Sequence, residues 1–278
     1  MHFGSLVAAV GSYLRARSLG GQWLVRIEDI DPPREVAGAA ANQIDTLRRF
    51  GMIADEPVSY QSQSASLHQT ALERLMAAGQ AFACGCSRRD LPDNGIYPGT
   101  CRAGLPSGKK PRSIRLQVDD ETIVFDDAVL GRCRQNPARQ CGDFVIRRAD
   151  GLSAYQLAVV VDDIASGITE IVRGADLLES TGRQILVYRA LGKPAPEYAH
   201  LPVIVDDSGR KLSKSESDDP VHVRHPATTL RLALRALDHE PPQGCRSLDE
   251  IWQWSIRHFD IQRVPSGEVA IGMHPDRR

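Results

Sequence analysis

Apolar and polar positions alternate in blocks along this chain, and the blocks predict its elements. Residues 5–19 read as a helix with an apolar middle from Leu6 to Leu14. Its small residues Ala8, Ala9, Gly11 and Ser12 allow a close neighbour, and Gly20-Gly21 ends it. Trp23 to Ile27 reads as a buried strand, broken by Asp31-Pro32-Pro33. Helices follow from about Arg34 to Phe50 and from Ser66 to Ala78, an alternation that predicts an α/β sheet domain. Residues 82–150 break the pattern. They are rich in Gly, Pro, Cys and Arg, carry short strand candidates at Ser113–Val118 and Phe144–Arg147, and read as an insertion. The α/β pattern resumes with Tyr155–Asp162 and Gly167–Arg173, followed by a helix at Leu177–Leu191 and a strand at Pro202–Val205. Two helices, Thr228–Asp238 and Leu248–Phe259, close the chain.

Composition narrows the class. The 278 residues allow one large domain or two modest ones, and 25% charged with 42% apolar residues is an ordinary globular mix. With a net charge of -1, contact with nucleic acid has to rest on local basic patches. The first apolar run has Arg15 and Arg17 behind it and no cation before it, the reverse of a secretory signal. No apolar run approaches the ~20 residues that cross a membrane, so a cytoplasmic protein is expected. The six cysteines are too sparse for a disulfide scaffold, but Cys84, Cys86 and Cys101 cluster, which points to metal.

Two motifs stand out chemically. The chain has no G-x-G-x-x-G after a strand, and Gly104 to Lys110 has the wrong spacing for a P-loop. His2-Phe3-Gly4-Ser5 instead stands directly before a helix, where free N–H groups and the positive end of the dipole suit phosphate. Lys211-Leu212-Ser213-Lys214-Ser215 follows the hairpin-like Asp206-Asp207-Ser208-Gly209-Arg210, and its two lysines could close on a polyphosphate; a solvated basic loop is the plainer alternative. Three thiolates at 84, 86 and 101 suit zinc, with buried thiols the alternative. The other three, Cys133, Cys141 and Cys245, read as ordinary thiols. Arg102, Lys109, Lys110, Arg112 and Arg115, with no acid among them, could form an RNA phosphate-contact surface or a solvated loop.

Taken together, HFGS and KLSKS resemble the HIGH and KMSKS signatures of class I aminoacyl-tRNA synthetases, in the right order. Leu24 to Asp31, Tyr155 to Asp163 and Ile171 to Leu178 resemble the glutamate-specific branch, and the similarity covers nearly the whole chain. The resemblance implies an α/β fold with a Rossmann-like parallel sheet, residues 1–80 and 151–205 forming its halves. Residues 81–150 become a zinc-containing, tRNA-contacting insertion, and 206–278 carry the KLSKS loop and a helical region. It implies ATP, with Mg2+, bound by His2, Gly4, Ser5, Lys211, Ser213 and Lys214, of which His2, Lys211 and Lys214 act in catalysis. Glutamate falls to Glu28, which accepts from the ammonium, to Arg173, which holds a carboxylate in a two-bond fork, and to the Tyr155 hydroxyl. Structural ion pairs, or a core tyrosine, are the other reading of those three. In the family a tyrosine at this spacing is the fourth ligand of a structural zinc, so Tyr97 joins Cys84, Cys86 and Cys101.

Only 63 residues follow Ser215, so the expected match is the shorter paralogue without an anticodon-binding region, the glutamyl-Q tRNA(Asp) synthetases. Their substrates would be ATP, L-glutamate and tRNA(Asp) carrying queuosine, handled by a monomer with no membrane. A synthetase-like fragment charging a tRNA 3′ end, and a catalytically inactive tRNA-binding module, are the alternatives. The family also carries, ahead of the HFGS element, a strand and an R-F-A-P-S-P-T-G type loop. This sequence starts at Met1, next to His2, which sets the expectation of a late-assigned start, with a real truncation the alternative, and of a poorly stable, nearly inactive chain.

Overall fold

The computed structural model describes residues 1–31, 36–206, 209–210, 221 and 224–270. The KLSKS segment, with Lys211, Ser213 and Lys214, lies outside the described residues. Helix α1 spans Phe3–Ser18, with His2 as its cap: the ring Nδ1 accepts the Ser5 N–H at 3.2 Å. It buries Phe3, Leu6, Val7, Val10, Gly11 and Leu14, a one-sided set at helical spacing. Strand β1 is Arg26–Ile27, α2 is Ala39–Arg49, β2 is Ser59–Tyr60 and α3 is Ala65–Ala77. Then come β3 (Ala81–Cys84), β4 (Ser113–Leu116), β5 (Ile123–Asp127), β6 (Gly131–Gln135), the short α4 (Pro137–Gln140) and β7 (Phe144–Arg147). The chain continues through α5 (Tyr155–Ala165), β8 (Glu170–Gly174), α6 (Leu178–Ala190), β9 (Glu197–Leu201) and β10 (Val203–Val205). It ends with α7 (Pro226–Ala236), α8 (Leu248–His258) and β11 (Glu268–Ala270).

Parallel pairing runs through the α/β part, β1 with β2 and β8 with β9, as strands joined by helical crossovers require. These two ladders are not hydrogen-bonded to each other. The insertion is antiparallel. Its strands β3, β4 and β7 form one sheet, while the β5–β6 hairpin leaves the insertion and joins β9 through Asp127 and Tyr198. That hairpin had no counterpart in the sequence pattern, because Gly131, Arg132 and Arg134 are exposed on its outer strand and blur the alternation. The stretch at Tyr155–Asp162 is helical. Every residue from Gln156 to Asp163 is buried, so no periodicity survives to tell helix from strand, and only the length of the run favours helix.

Of the buried apolar clusters among the described residues, two are large. The larger gathers α1, α7, α8, Trp23, Phe50, Met52 and the β9–β10 residues Ala199, Leu201 and Ile204. The other packs α3 and α5 with Leu116, Phe144, Ile146 and the α6 residues Val187 and Tyr188. Among the described residues no helix is long and apolar enough to cross a membrane. The tightest approach in the larger core is at Gly11, where an added Cβ would lie 2.5 Å from Leu201 Cδ1. Leu201 is 1% exposed, so its side chain would have to shift within a packed core to make room. Gly11→Val is therefore expected to lower unfolding stability by about 1–3 kcal/mol, the usual cost of overpacking, read as an earlier urea midpoint with an unchanged slope.

Candidate active site and metal centre

A cleft of about 950 Å³ opens between β1 and β8, with α1 along its floor. His2, Gly4 and Ser5 line one part of it, and Arg26, Arg173 and Asp176 another. At the helix end the His2 ring folds over the first turn. Because Nδ1 accepts a backbone N–H, the proton of neutral imidazole sits on Nε2, which lies 2.8 Å from Ser5 Oγ. The Nε2–H is thus turned to Ser5 Oγ, and the first-turn N–H groups of Phe3 and Gly4, at the positive end of the helix dipole, suit an anion.

Glu28 comes together with Tyr155 and Arg173 although the sequence separates it from them by more than a hundred positions. The Glu28 carboxyl is held above its ordinary range, first by the protein atoms crowding it, with Arg26 and Arg173 opposing the shift. The side chain still meets solvent over 44% of its surface, which screens these charges. Burial, then the Glu28 charge, pushes the Tyr155 hydroxyl up, so it stays a neutral donor. Arg26 is anchored behind them, Nη1 donating to Asp163 Oδ1 at 2.7 Å. Arg173 is more committed than the sequence implied. Its Nε donates to His200 Nε2 (3.2 Å), Nη1 to Gln184 Oε1 (2.7 Å), and Nη2 to Thr181 Oγ1 (2.9 Å) and, loosely, to the Leu177 carbonyl. Of five N–H groups, one on Nη1 has no partner among the described residues. The two-bond fork expected for a carboxylate thus needs the long Leu177 bond to be given up.

The second cluster is at Cys84, Cys86, Tyr97 and Cys101, all buried. The three sulfurs lie within 4.8 Å of one another. Cys86 and Cys101 Sγ are 3.7 Å apart, close to the ~3.8 Å edge of a tetrahedron with ~2.3 Å metal–sulfur arms. Tyr97 Oη stands 3.5 Å from Cys84 Sγ and accepts the Cys101 N–H at 2.8 Å. These donors fit a four-coordinate zinc. Arg115 compensates charge here: its Nε donates to Cys84 Sγ (3.3 Å) and its guanidinium lies 4.0 Å over the Tyr97 ring. Against the cost of burial, bonds from Tyr97, Cys86 and Arg115 lower the Cys84 thiol to about 7, whereas burial and its neighbours push Cys86 up to about 11. Gly142 (φ +68) makes room for the Tyr97 backbone, whose carbonyl would sit 2.2 Å from any Cβ there.

The run of five basic residues needs correction. Buried Arg115 serves the cysteine site and the Asp143 carbonyl, Arg102 grips the Asp143 carboxylate, and Lys109 pairs with Asp90 at 2.6 Å. The acids come from outside the run, which is why the sequence hid them. Lys110 and Arg112 alone are exposed and make no ion pair among the described residues.

With this geometry in hand, comparison with known proteins is decisive. The family "tRNA synthetases class I (E and Q), catalytic domain" matches residues 1–94 and 102–229. A glutamyl-Q tRNA(Asp) synthetase of Chromobacterium violaceum is 51% identical, covering 98% of this chain and 93% of that protein. One of Pseudomonas aeruginosa is 49% identical over 95% of this chain and 91% of its own. The chain belongs to the glutamyl-Q tRNA(Asp) synthetase family, within the class I synthetases for glutamate and glutamine. Among solved structures it is similar to a glutamate tRNA ligase of Elizabethkingia meningosepticum, crystallised with its amino acid (TM-score 0.81, 24% identity, 97% of this chain). The glutamate-tRNA synthetase of Elizabethkingia anophelis gives a TM-score of 0.83 at 24% identity over 98% of this chain. This chain spans 64% and 66% of those two, and at that identity the likeness speaks for the fold.

For a member of this family the sequence named His2, Gly4, Ser5 and Arg173 of the cleft lining but missed Arg26 and Asp176 there, and behind them Asp127, His200, Asp163 and the buried His68–Asp162 pair at 2.8 Å. The adjacent acids Asp162-Asp163 were a visible signal, since two carboxylates inside an apolar helix must find partners. Asp143 is the keystone beside the metal centre. It is 0% exposed, takes two bonds from Arg102 and caps the Val118 N–H at 2.9 Å. Asp143→Ala is expected to destabilise by about 2–4 kcal/mol, less than a fully buried pair because Arg102 is partly solvated. A loss under 1 kcal/mol in urea unfolding would contradict this.

Proposed function

We propose that this chain activates glutamate with ATP as glutamyl-adenylate and transfers the glutamyl group to the queuosine base at the wobble position of tRNA(Asp). The observation that carries the reading is the joining of two chemistries in one place. A capped helix N-terminus at His2–Ser5 borders the cleft that Arg173 enters, and Arg173 shares its electrostatic surroundings with Glu28 and Tyr155. The close relatives' names give the acceptor.

In the first step a glutamate carboxylate oxygen attacks the α-phosphorus of ATP, the bond to the β-phosphate oxygen breaks, and pyrophosphate leaves. Positioning and charge stabilisation supply most of the rate. The first-turn amides meet phosphate oxygens, and His2 Nε2–H joins them by exchanging its Ser5 Oγ partner for phosphate. Glu28 accepts from the substrate ammonium, Tyr155 donates a directed bond, and Arg173 offers its charge and its clear N–H to a carboxylate. Lys211, Ser213 and Lys214 are assigned to the polyphosphate on their motif. Magnesium arriving with ATP supplies charge neutralisation at the phosphates. In the second step a queuosine hydroxyl oxygen attacks the activated carbonyl, the acyl–phosphate bond breaks, AMP departs, and the hydroxyl proton passes to solvent. Substrates of this kind place the reaction in the cytoplasm. Zinc at Cys84, Cys86, Tyr97 and Cys101 is structural, pinning the loop between β3 and β4, with Lys110 and Arg112 left as cations for RNA phosphate.

Glutamate-dependent ATP–pyrophosphate exchange tests the first step. Full-length protein is expected to exchange with glutamate and not with aspartate or glutamine, and Lys214→Ala to lose a hundredfold or more. Radiolabelled glutamate is expected on queuosine-containing tRNA(Asp) alone and to survive removal of the terminal adenosine. Label lost with that adenosine would favour charging of the 3′ end, and absence of any exchange would favour an inactive tRNA-binding module.

The metal is tested separately. Metal analysis is expected to give one zinc per chain, falling sharply in Cys86→Ser and less in Tyr97→Phe, where three thiolates remain. Zinc-free protein with full thermal stability would refute the assignment.

A further inference from the structure

Behind Arg173 lies a relay that the proposed chemistry does not use directly. His200 and Asp127 are both fully buried, their side chains 0% exposed. They come from different elements, His200 from β9 and Asp127 from the end of the β5 strand of the insertion, 73 positions apart. The His200 ring is bonded at both nitrogens. Nδ1 lies 2.5 Å from Asp127 Oδ2, and Nε2 lies 3.2 Å from both Arg173 Nε and Thr181 Oγ1. An arginine Nε–H can only donate, so His200 Nε2 must be an acceptor there. The ring proton is therefore on Nδ1, pointing at the carboxylate. Tyr198 stacks on the ring face at 6.0 Å and fixes its plane.

The two oxygens of Asp127 divide their duties. Oδ1 accepts the N–H groups of Val129 (3.0 Å), Leu130 (2.9 Å) and His200 (3.2 Å), closing the β5–β6 turn and tying it to β9. Those bonds are structural. Oδ2 is given over to the imidazole. A carboxylate fixing a histidine tautomer so that the far nitrogen can serve a working group is a known arrangement at catalytic and metal sites.

We propose that the buried Asp127–His200 pair is a positioning device for Arg173: Asp127 holds His200 as the Nδ1–H tautomer, and His200 Nε2 fixes the guanidinium so that its clear Nη1–H is presented in the cleft to a carboxylate of glutamate. The proposal rests on the reading of Arg173 as a glutamate-binding residue. It makes Asp127 and His200 positioning residues, since neither reaches the cleft surface. It also couples the insertion to the amino-acid site, because β5 delivers the carboxylate that orients an arginine on β8.

The substitution Asp127→Asn separates the two duties. The amide oxygen can keep the three Oδ1 bonds, while the NH2 group at the Oδ2 position donates to His200 Nδ1. The ring proton must then move to Nε2, where it confronts the Arg173 Nε–H, donor against donor. His200→Gln and His200→Asn supply the control. The Gln amide reaches the region of Nε2 and can accept from Arg173, whereas the shorter Asn amide overlays Nδ1 and leaves Arg173 without its acceptor.

Full-length wild type and the three variants are compared by glutamate-dependent ATP–pyrophosphate exchange, with glutamate and ATP titrated separately. Asp127→Asn and His200→Asn are expected to raise KM for glutamate tenfold or more with KM for ATP within twofold. His200→Gln is expected to hold KM for glutamate within threefold, even where its thermal midpoint falls. Adding Asp127→Asn to His200→Gln is expected to change KM for glutamate no further, because glutamine has no tautomer to switch. Long-range 15N–1H spectra of the histidine ring are expected to report Nδ1–H in the wild type and Nε2–H in Asp127→Asn. A wild-type ring found as Nε2–H, KM values for glutamate and ATP rising in parallel, or an unchanged glutamate KM in Asp127→Asn would each overturn the relay while leaving glutamate activation intact. Wild-type protein showing no glutamate-dependent exchange would overturn the function itself, and the relay with it.

Discussion

Everything at the cleft depends on how closely α1 can approach the β9 strand. The helix is useful because of its first turn, whose amides and His2 ring meet the cleft, but the direction of that turn is set further along. Gly11 lets the helix lie against Leu201 with no side chain between them. Phe3, Leu6, Val7, Val10 and Leu14 then bury one continuous face against α7, α8 and the strand ends. A helix N-terminus makes a good anion site only if it cannot swing away, and here the apolar face fixes its aim. Trp23 adds a cross-brace, its indole N–H reaching Ser12 Oγ at 3.0 Å and its ring edge-on to Tyr13.

That division between a face that points and a face that packs explains what the sequence disclosed. The first helix was legible because its apolar spacing, its small residues and its terminal glycines lie within twenty positions. The cysteine cluster was legible for the same reason: Cys84, Cys86 and Cys101 lie within eighteen residues and their sulfurs converge, whereas Tyr97 beside them was named only through the family resemblance. Glu28 stands 127 positions from Tyr155, and only the resemblance to the glutamate-specific branch joined it to Tyr155 and Arg173. Local chemistry alone left a structural ion pair open for Glu28 and Arg173, and the structure gives that alternative its due. Glu28 lies 3.7 Å from the Arg26 guanidinium, and Arg173 is largely occupied by neutral internal partners.

What sequence could not disclose follows from range. Asp127 and His200 are 73 positions apart, Arg26 and Asp163 are 137 apart, and neither pair has a spacing rule to betray it. The basic run after Cys101 failed in the opposite sense. It looked like a surface because no acid stands within it, yet Asp90 and Asp143 reach it from either side. A charge count over a window measures composition, whereas ion pairing depends on contacts that close over long loops. The β5–β6 hairpin was lost for a related reason: its pairing with β9 is tertiary, and its outer strand carries arginines where an alternating pattern would have shown it.

The pairs that escaped the sequence share a physical logic. Arg26, Arg102 and Arg173 are each backed by a buried carboxylate, the first two directly and the third through an imidazole. As stabilising devices such pairs are poor value, because desolvation consumes much of the attraction. Their effect is on geometry. A guanidinium bonded at fixed nitrogens keeps one edge in one place, and a cation held in place before substrate arrives need not reorganise when negative charge develops. Inserting a histidine between Asp127 and Arg173 refines this. A carboxylate touching Arg173 directly would compete with a glutamate carboxylate for the same charge, whereas a neutral imidazole accepts the Nε–H and leaves the guanidinium charge available to the cleft. The buried acid then orients the arginine without neutralising it at contact distance, which is the condition for a residue that must be both fixed and attractive to an anion.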